Sequence, residues 1–245
     1  MRRLLPLALL LLAGATHAAT DLAAAREHLR HSHGNQRMAA VVAERLELQP
    51  GDGSDLTVWD AHAWVGGDEE RLWLGWEGEL ENSSGALEEA ELQALYSRAV
   101  HPFWNLGLGL RHDVRPEPER THAVVRVTGI APYWVHVDAA AFVSHKGDVS
   151  VRLELEYEVL LTQNLSLEPH LEMDAGFSGD RRVGLGSGFR ELESGLRLRY
   201  AFMHELSAYL GLNWSRKLGD TRRLARLEGE DGNRFGAVVG VSFWW

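Results

Sequence analysis

The chain contains no cysteine. That excludes a disulfide framework, cysteine-ligated zinc and a thiol nucleophile. Positive charge is in deficit: 25 Lys and Arg stand against 35 Asp and Glu, for a formal charge of −10. A nucleic-acid partner is disfavoured on that ground, because phosphate backbones recruit Lys and Arg. Long apolar runs are missing beyond the first residues, and mean hydropathy is −0.22. Bilayer-crossing helices, which need roughly 20 apolar residues, are therefore not expected. What the chain has in quantity is glycine, 25, and tryptophan, 9, within 245 residues of ordinary apolar content. That length suffices for one large domain.

The one apolar run, Leu4 to Ala15, follows Arg2 and Arg3 and is broken by Pro6. Thr16-His17-Ala18 puts small residues at the −3 and −1 positions of a cut after Ala18. Residues 1–18 thus read as a secretory signal peptide. Its removal takes two arginines and no acid, which deepens the charge to −12. Residues 19–39 carry little apolar pattern and read as a flexible, histidine-containing periplasmic tail. The main domain is expected over 40–245.

From Val41 onward the period is two, not 3.6. Between 149 and 158, Val149, Val151, Leu153, Leu155 and Tyr157 alternate with Ser150, Arg152, Glu154, Glu156 and Glu158. A strand puts the first set on one face and the second on the other. The same opposition recurs around Leu72–Leu80, Ala90–Tyr96, Leu106–Leu110, Val135–Val143, Leu165–Met173, Leu192–Tyr200 and Leu206–Trp214, with weaker segments near 41–49, 56–65, 122–130 and 235–245. The expectation is an all-β, antiparallel up-and-down barrel of about 12 strands. Short breaks such as 66–68, 101–104, 131–134, 161–164 and 202–204 alternate with longer polar ones at 81–88, 113–121, 175–188 and 217–234. Short turns on one side and long loops on the other mark transmembrane barrels. A soluble sandwich or lipocalin-type barrel shows the same alternation with its apolar face inward. Three features favour the membrane. Aromatic residues sit at strand ends: Trp64, Trp73, Trp104, Tyr133, Trp134, Tyr200 and Trp214. The polar face mixes acids with bases, which can pair across a lumen. The chain ends in alternating Ala237, Val239, Val241, Phe243 and Trp245, and Val241, Phe243 and Trp245 read as an outer-membrane assembly signal.

Twelve histidines are many for this length. His28, His31 and His33, with Met38 after them, could close on one ion; imidazole suits Cu(II) and zinc, and thioether sulfur suits Cu(I). The alternative is a solvated polar tail. A second set shares a face with the acids: His62, His136 and His170, with Glu168 and Glu172. This set could hold a divalent metal in the lumen, or it could be part of an ion-pair network that fills a closed polar interior.

Several segments resemble the bacterial copper resistance protein B family. They are LTVWDAHAWV at 56–65 with VGGDEERLWL, EEAELQALYSRAVHPFWNL at 88–106, GLRHDVRPEPERT at 109–121 and GIAPYWV at 129–135. SHKGDVSVRLELEYEVLLTQNL at 144–165, ELESGLRLRY at 191–200, RLARLEGED at 223–231 and the terminal strand continue the match, in order and with matching spacing. The resemblance implies an outer-membrane barrel, exported by its signal peptide, that serves periplasmic copper resistance beside a periplasmic multicopper oxidase. Copper ion is the implied ligand. Family members usually carry a Met- and His-rich segment ahead of the barrel; here it has shrunk to HSHGNQRM, with one Met. No residue is carried over as a ligand. The implied function is binding copper ions, or helping their removal from the periplasm, without covalent chemistry. Implied partners are outer-membrane lipid and the assembly machinery. The competing expectations are a narrow channel without specific metal binding, and an outer-membrane lipid hydrolase built on Ser144 and His145. Those two neighbours point to opposite faces of a strand, which disfavours the hydrolase.

Overall fold

The computed structural model describes residues 28, 36–51, 55–179, 184–229 and 232–245. Two compact units are distinguished, Met1–Met38 and Ala39–Trp245. The second is a single antiparallel sheet. Its strands are β1 (Met38–Gln49), β2 (Leu56–Gly66), β3 (Glu70–Glu81), β4 (Ala86–His101), β5 (Trp104–Arg115), β6 (Arg120–Ala131) and β7 (Val135–Ser144). β8 (Val149–Glu156) and the two-residue β9 (Val159–Leu160) form one stave, followed by β10 (Leu165–Gly176), β11 (Gly188–Met203), β12 (Leu206–Lys217) and β13 (Asn233–Trp244). Each stave pairs with the next. β13 then pairs with β1, through Val42↔Trp244 to Leu48↔Val239, and closes a barrel of twelve staves.

Exposure decides between inward and outward apolar faces. Leu110 is 58% and Leu210 63% exposed, whereas Glu47 is 1% and Arg197 4% exposed. The apolar face is outside and the charged face lines the lumen. A soluble barrel would show the reverse, so the alternation belongs to a transmembrane barrel. No helix among the described residues is long and apolar enough to cross a membrane.

Both chain ends of the barrel lie at the end with the short turns, since β1 enters and β13 leaves there. Outer-membrane barrels place short turns in the periplasm and longer loops outside. Several connections at the outer end differ from expectation. The breaks at 81–88 and 113–121 shrink to 82–85 and 116–119, because polar residues such as Glu81 and Arg115 still pair, opposite Leu56 and Ala90. The 217–234 connection contains a helix, α1 (Gly219–Glu228), which period-two reading did not find. The strand read through 158 stops at Glu156, beside Pro169 of β10. Proline offers no N–H to the ladder, and Tyr157 N–H reaches Pro169 O at 3.1 Å before pairing resumes at Val159.

Trp64 and Trp73 correct another expectation. They do not join the outward aromatic belt; they face the lumen with His62. The Trp73 ring folds over Gly75, where a Cβ would lie 2.2 Å from it. Arg71 stacks on Trp64 at 4.4 Å and Arg126 on Trp73 at 4.3 Å, which gives each ring a cation on its face. Trp104, Tyr200 and Trp214 share the outward parity of their strands. Tyr133 and Trp134 stand 87% and 71% exposed on the turn after β6. The terminal strand points Val241 and Phe243 outward, and Trp245 exchanges two backbone hydrogen bonds of 2.8 Å with Val41, so the seam closes at the last residue.

Candidate metal path through the barrel lumen

Strand register places the lumen carboxylates in rows. On one wall Asp60, Glu77, Glu91 and Asp113 stand abreast on β2 to β5. On the facing wall Glu154, Glu172 and Glu193 stand abreast on β8, β10 and β11. Like charges opposite one another repel, so cations must lie between them. Arg152 supplies one. From β8 it reaches Glu172 at 3.3 Å and Asp174 at 3.2 Å nearby, and Glu77 at 3.1 Å and Glu91 at 3.6 Å across the lumen. Arg111 joins Glu91 at 2.6 Å and Asp113 at 2.5 Å, and Arg126 forks onto Asp138.

The other half of the lumen is organised on Glu47, whose side chain is fully buried. Its Oε2 accepts from Arg197 Nε and Tyr209 Oη, each at 3.1 Å, and its Oε1 accepts from Gln49 Nε2 at 2.9 Å. A bulge in β1 sets the neighbouring groups. Ala43 pairs with Phe243 and Leu46 with Val241, so Glu44 and Arg45 together oppose Ser242. Both then reach lumen partners: Glu44 lies 3.5 Å from His62 Nδ1 and Arg45 3.3 Å from Glu193.

Two voids lie along the lumen. A vestibule of about 180 Å³ opens at the end with the short turns, lined by His62, Trp64, Asp68, Arg71, Trp73 and Asn105 among others. Mid-lumen, between Glu77, Arg126, Asp138, Phe142, Arg152 and Glu154, the void is about 10 Å³. That is room for about one water. Beside it an apolar layer of Leu95, Val124, Ala140 and Phe142 interrupts the charged face; nothing in the alternation of charges announced it.

Of the expected lumen ligands, the structure brings two together and adds a third. His170, Glu172 and Glu193 offer one ligand atom each within 4.8 Å of one another. His170 Nε2 lies 4.0 Å from Glu193, while its buried Nδ1 has no hydrogen-bond partner among the described residues. Asn213 Oδ1 is likewise buried and unpartnered. Gly195 keeps the gap between them open: a Cβ there would stand 3.0 Å from Asn213 Oδ1 and 3.1 Å from His170 Nδ1. Nitrogen and oxygen donors of this kind suit Cu(II). Glu168 shares the face but is engaged by Arg199, at 2.7 and 2.8 Å, and by Ser166. His136 is exposed, and it stands two strands from His170, with Glu156 between them. That is a separation of about 10 Å, too far to share an ion. His62 faces the vestibule and stacks on Trp73 at 5.5 Å. In the tail, His31 and His33 lie outside the described residues; His28 is exposed, and Met38, half exposed, opens β1. Glu193 was on the polar face of its strand by alternation, but only the β10–β11 register sets it opposite Glu172.

The Ser144–His145 pair has a local role. Ser144 is buried on the lumen face; its Oγ accepts from Lys146 N and Asp148 N at 3.1 Å and lies 3.3 Å from Asp148 Oδ2. It shapes the β7–β8 turn.

Residues 37–245 match the model of a family described as copper resistance protein B precursor. A copper resistance protein B of Escherichia coli is 38% identical over 205 residues, covering 84% of this chain and 69% of that protein. A copper resistance protein B homolog of Pseudomonas syringae pv. tomato is 37% identical over 230 residues, covering 92% and 78%. Among solved structures, the NanC porin superposes with a TM-score of 0.55 at 12% identity, covering 84% of this chain and 99% of that one. That last likeness concerns the fold alone.

Proposed function

Because the chain belongs to the copper resistance protein B family, we propose that it sits in the outer membrane and serves copper resistance by taking copper ions into its lumen and helping to remove them from the periplasm. It binds and passes its cargo and breaks no covalent bond. The observation that carries this reading is the His170, Glu172 and Glu193 cluster, with an unpartnered imidazole nitrogen, in a wall of abreast carboxylates. The donors are nitrogen and oxygen, which favours Cu(II) over Cu(I). Arg45 and Arg152 already occupy Glu193 and Glu172. An entering ion must displace a guanidinium, so affinity at the cluster is moderate, which suits transit better than storage.

The tail, with His28, His31, His33 and Met38, supplies capture, and His62 in the vestibule receives the ion. Closing a flexible site costs ordering entropy that the barrel wall has already met. A periplasmic multicopper oxidase and the outer-membrane assembly machinery are the proposed protein partners, the latter reading Val241, Phe243 and Trp245.

The test is copper stoichiometry by equilibrium dialysis on three proteins: the intact chain, a chain lacking residues 19–36, and a His170→Ala, Glu193→Gln variant. Each altered protein should bind less copper than the intact one, and the lumen variant should fail to restore growth of a deletion strain on graded copper. Unchanged stoichiometry in both, with full restoration, would leave a narrow channel without specific metal binding as the better reading.

A further inference from the structure

The outer rim of the barrel is divided by charge. The outer ends of β1 to β6 and their connections present Asp55, Glu88, Glu117 and Glu119 to solvent, with Arg115 paired to Glu117. The sector formed by the outer ends of β11, β12 and β13 is different. From Trp214 to Arg226 the chain carries Arg216, Lys217, Arg222, Arg223 and Arg226, with Asp220 as the one acid; Glu228, Glu230 and Asp231 follow. Asp220 is engaged by Arg223 at 3.2 Å.

One of these cations, Arg216, stands beside outward aromatic groups. Arg216 faces outward between Leu192 and Asn233, one step beyond Trp214 on the same face, and Trp214 pairs with Phe235. Phe235 is 66% and Phe189 64% exposed. Isolated apolar groups on a surface need no explanation, but a contiguous set rimmed by one sign of charge marks an interaction site. Two further observations point to an anionic ligand. The Nε atoms of Arg216 and Arg222 are buried and have no hydrogen-bond partner among the described residues. A buried guanidinium N–H without an acceptor is costly. The platform is also preformed. Gly186 N–H donates to Thr221 Oγ1 at 2.9 Å, Leu218 N–H to Arg190 O at 2.7 Å, and a Cβ at Gly186 would lie 2.4 Å from Thr221 N. These contacts fix α1 against the β10–β11 connection and the start of β11.

A ligand that fits must carry phosphate for the guanidinium groups and acyl chains for the aromatic face, and it must occur in the outer leaflet. We propose that this sector is a binding site for a phosphorylated, acylated glycolipid of the lipid A type. Arg216 and Arg222 hold a phosphate, Arg226 extends the cationic edge, and Trp214, Phe189 and Phe235 take the acyl chains. Guanidinium forks match phosphate geometry. The proposal rests on the outer-membrane reading above and is independent of copper.

The experiment compares the purified full-length barrel, in nanodiscs, with bisphosphorylated lipid A, with its dephosphorylated form and with phosphatidylglycerol. An Arg216→Glu, Arg222→Glu variant and its Arg216→Lys, Arg222→Lys counterpart are measured alongside an Arg115→Glu control in the acidic sector. Two lost charge-assisted contacts, each worth about 1.5–3 kcal/mol, predict at least about a hundredfold weaker lipid A binding in the Glu variant. The Lys variant should retain most of the affinity and the Arg115 control all of it, and added salt should weaken binding. Equal binding of the dephosphorylated form, or an unchanged Glu variant, would overturn the phosphate site, and equal binding of phosphatidylglycerol would overturn the lipid A assignment. Should the Glu variant fail to fold, Arg216→Gln alone is read the same way. Membrane fractionation of the intact chain tests its location separately, so a failed location and a failed site give different results.

Discussion

Glu47 and Arg152 are both buried charges with several partners, but they are wired differently. Glu47 draws its donors from β1, β11 and β12, strands that lie within one sector of the wall. Every oxygen of the carboxylate is satisfied there, and nothing crosses the lumen. Arg152 instead joins β8 and β10 to β3 and β4 on the facing side. It leaves rows of carboxylates that outnumber it. The first arrangement is frame; the second is a bar across a passage, held by groups that a cation can also satisfy. Burial alone does not tell these apart. Which strands a charge connects does.

The largest expected effect follows from the frame. Glu47→Ala strands Arg197 and deprives Tyr209 and Gln49 of their acceptor, and removing one partner of a buried charged pair costs about 3–5 kcal/mol. Urea unfolding in lipid should show that loss. A loss under 1 kcal/mol would mean that the frame is no frame. The exterior calibrates the scale: Leu153→Arg or Leu196→Arg should cost about 2–4 kcal/mol if these sites lie near mid-membrane, and Glu154→Ser, on the lumen side, much less.

The bar gives a smaller change in stability and a larger change in passage. Arg152→Ala leaves Glu77, Glu91, Glu172 and Asp174 beside a lumen that can admit water and cations, so their repulsion is relieved from solution. Its unfolding cost should fall below that of Glu47→Ala, while cation conductance across a planar bilayer rises severalfold over the intact barrel. If conductance stays unchanged and stability falls as far as for Glu47→Ala, Arg152 is also frame and the distinction fails.

How much of this was legible in the sequence depends on the range of the interaction. Alternation at 149–156 is local, so the strands, their faces and the closed barrel could be read. The direction of the apolar face was argued from aromatic placement, and that same argument misplaced Trp64 and Trp73. Their parity with His62 and Glu77 was the better guide, since period two overrides position along a strand. α1 escaped because it is only ten residues long and rich in Arg, too short and too polar to stand out in a chain of period two, and its anchors, Thr221 to Gly186 and Leu218 to Arg190, come from elsewhere in the chain. In the candidate site, His170 and Glu172 were legible as neighbours on one face. Glu193 was not, because its register opposite Glu172 is fixed across a connection of eleven residues, 177–187.

The smallest expected effect lies where the two arrangements meet. Gly195 stands beside Arg197 of the Glu47 group and His170 of the acidic wall, and it keeps a gap open between them. A Cβ would sit 3.0 Å from Asn213 Oδ1, 3.1 Å from His170 Nδ1 and 3.3 Å from an Arg197 terminal nitrogen. These are side-chain atoms that can yield by a few tenths of an ångström. Removing a glycine also lowers the entropy of the unfolded chain, worth about 0.4–1 kcal/mol in favour of folding. The two terms oppose each other, so Gly195→Ala should change stability by less than about 1 kcal/mol. Copper should respond more strongly, because the added methyl fills the approach to His170 Nδ1, which has no hydrogen-bond partner among the described residues. The variant should keep the intact unfolding curve and lose copper at the lumen site, read by dialysis on a chain lacking residues 19–36 so that the tail does not mask it. A variant that retains copper would place the ion on His170 Nε2 and the carboxylates alone, with the gap over Gly195 serving only the packing of Arg197.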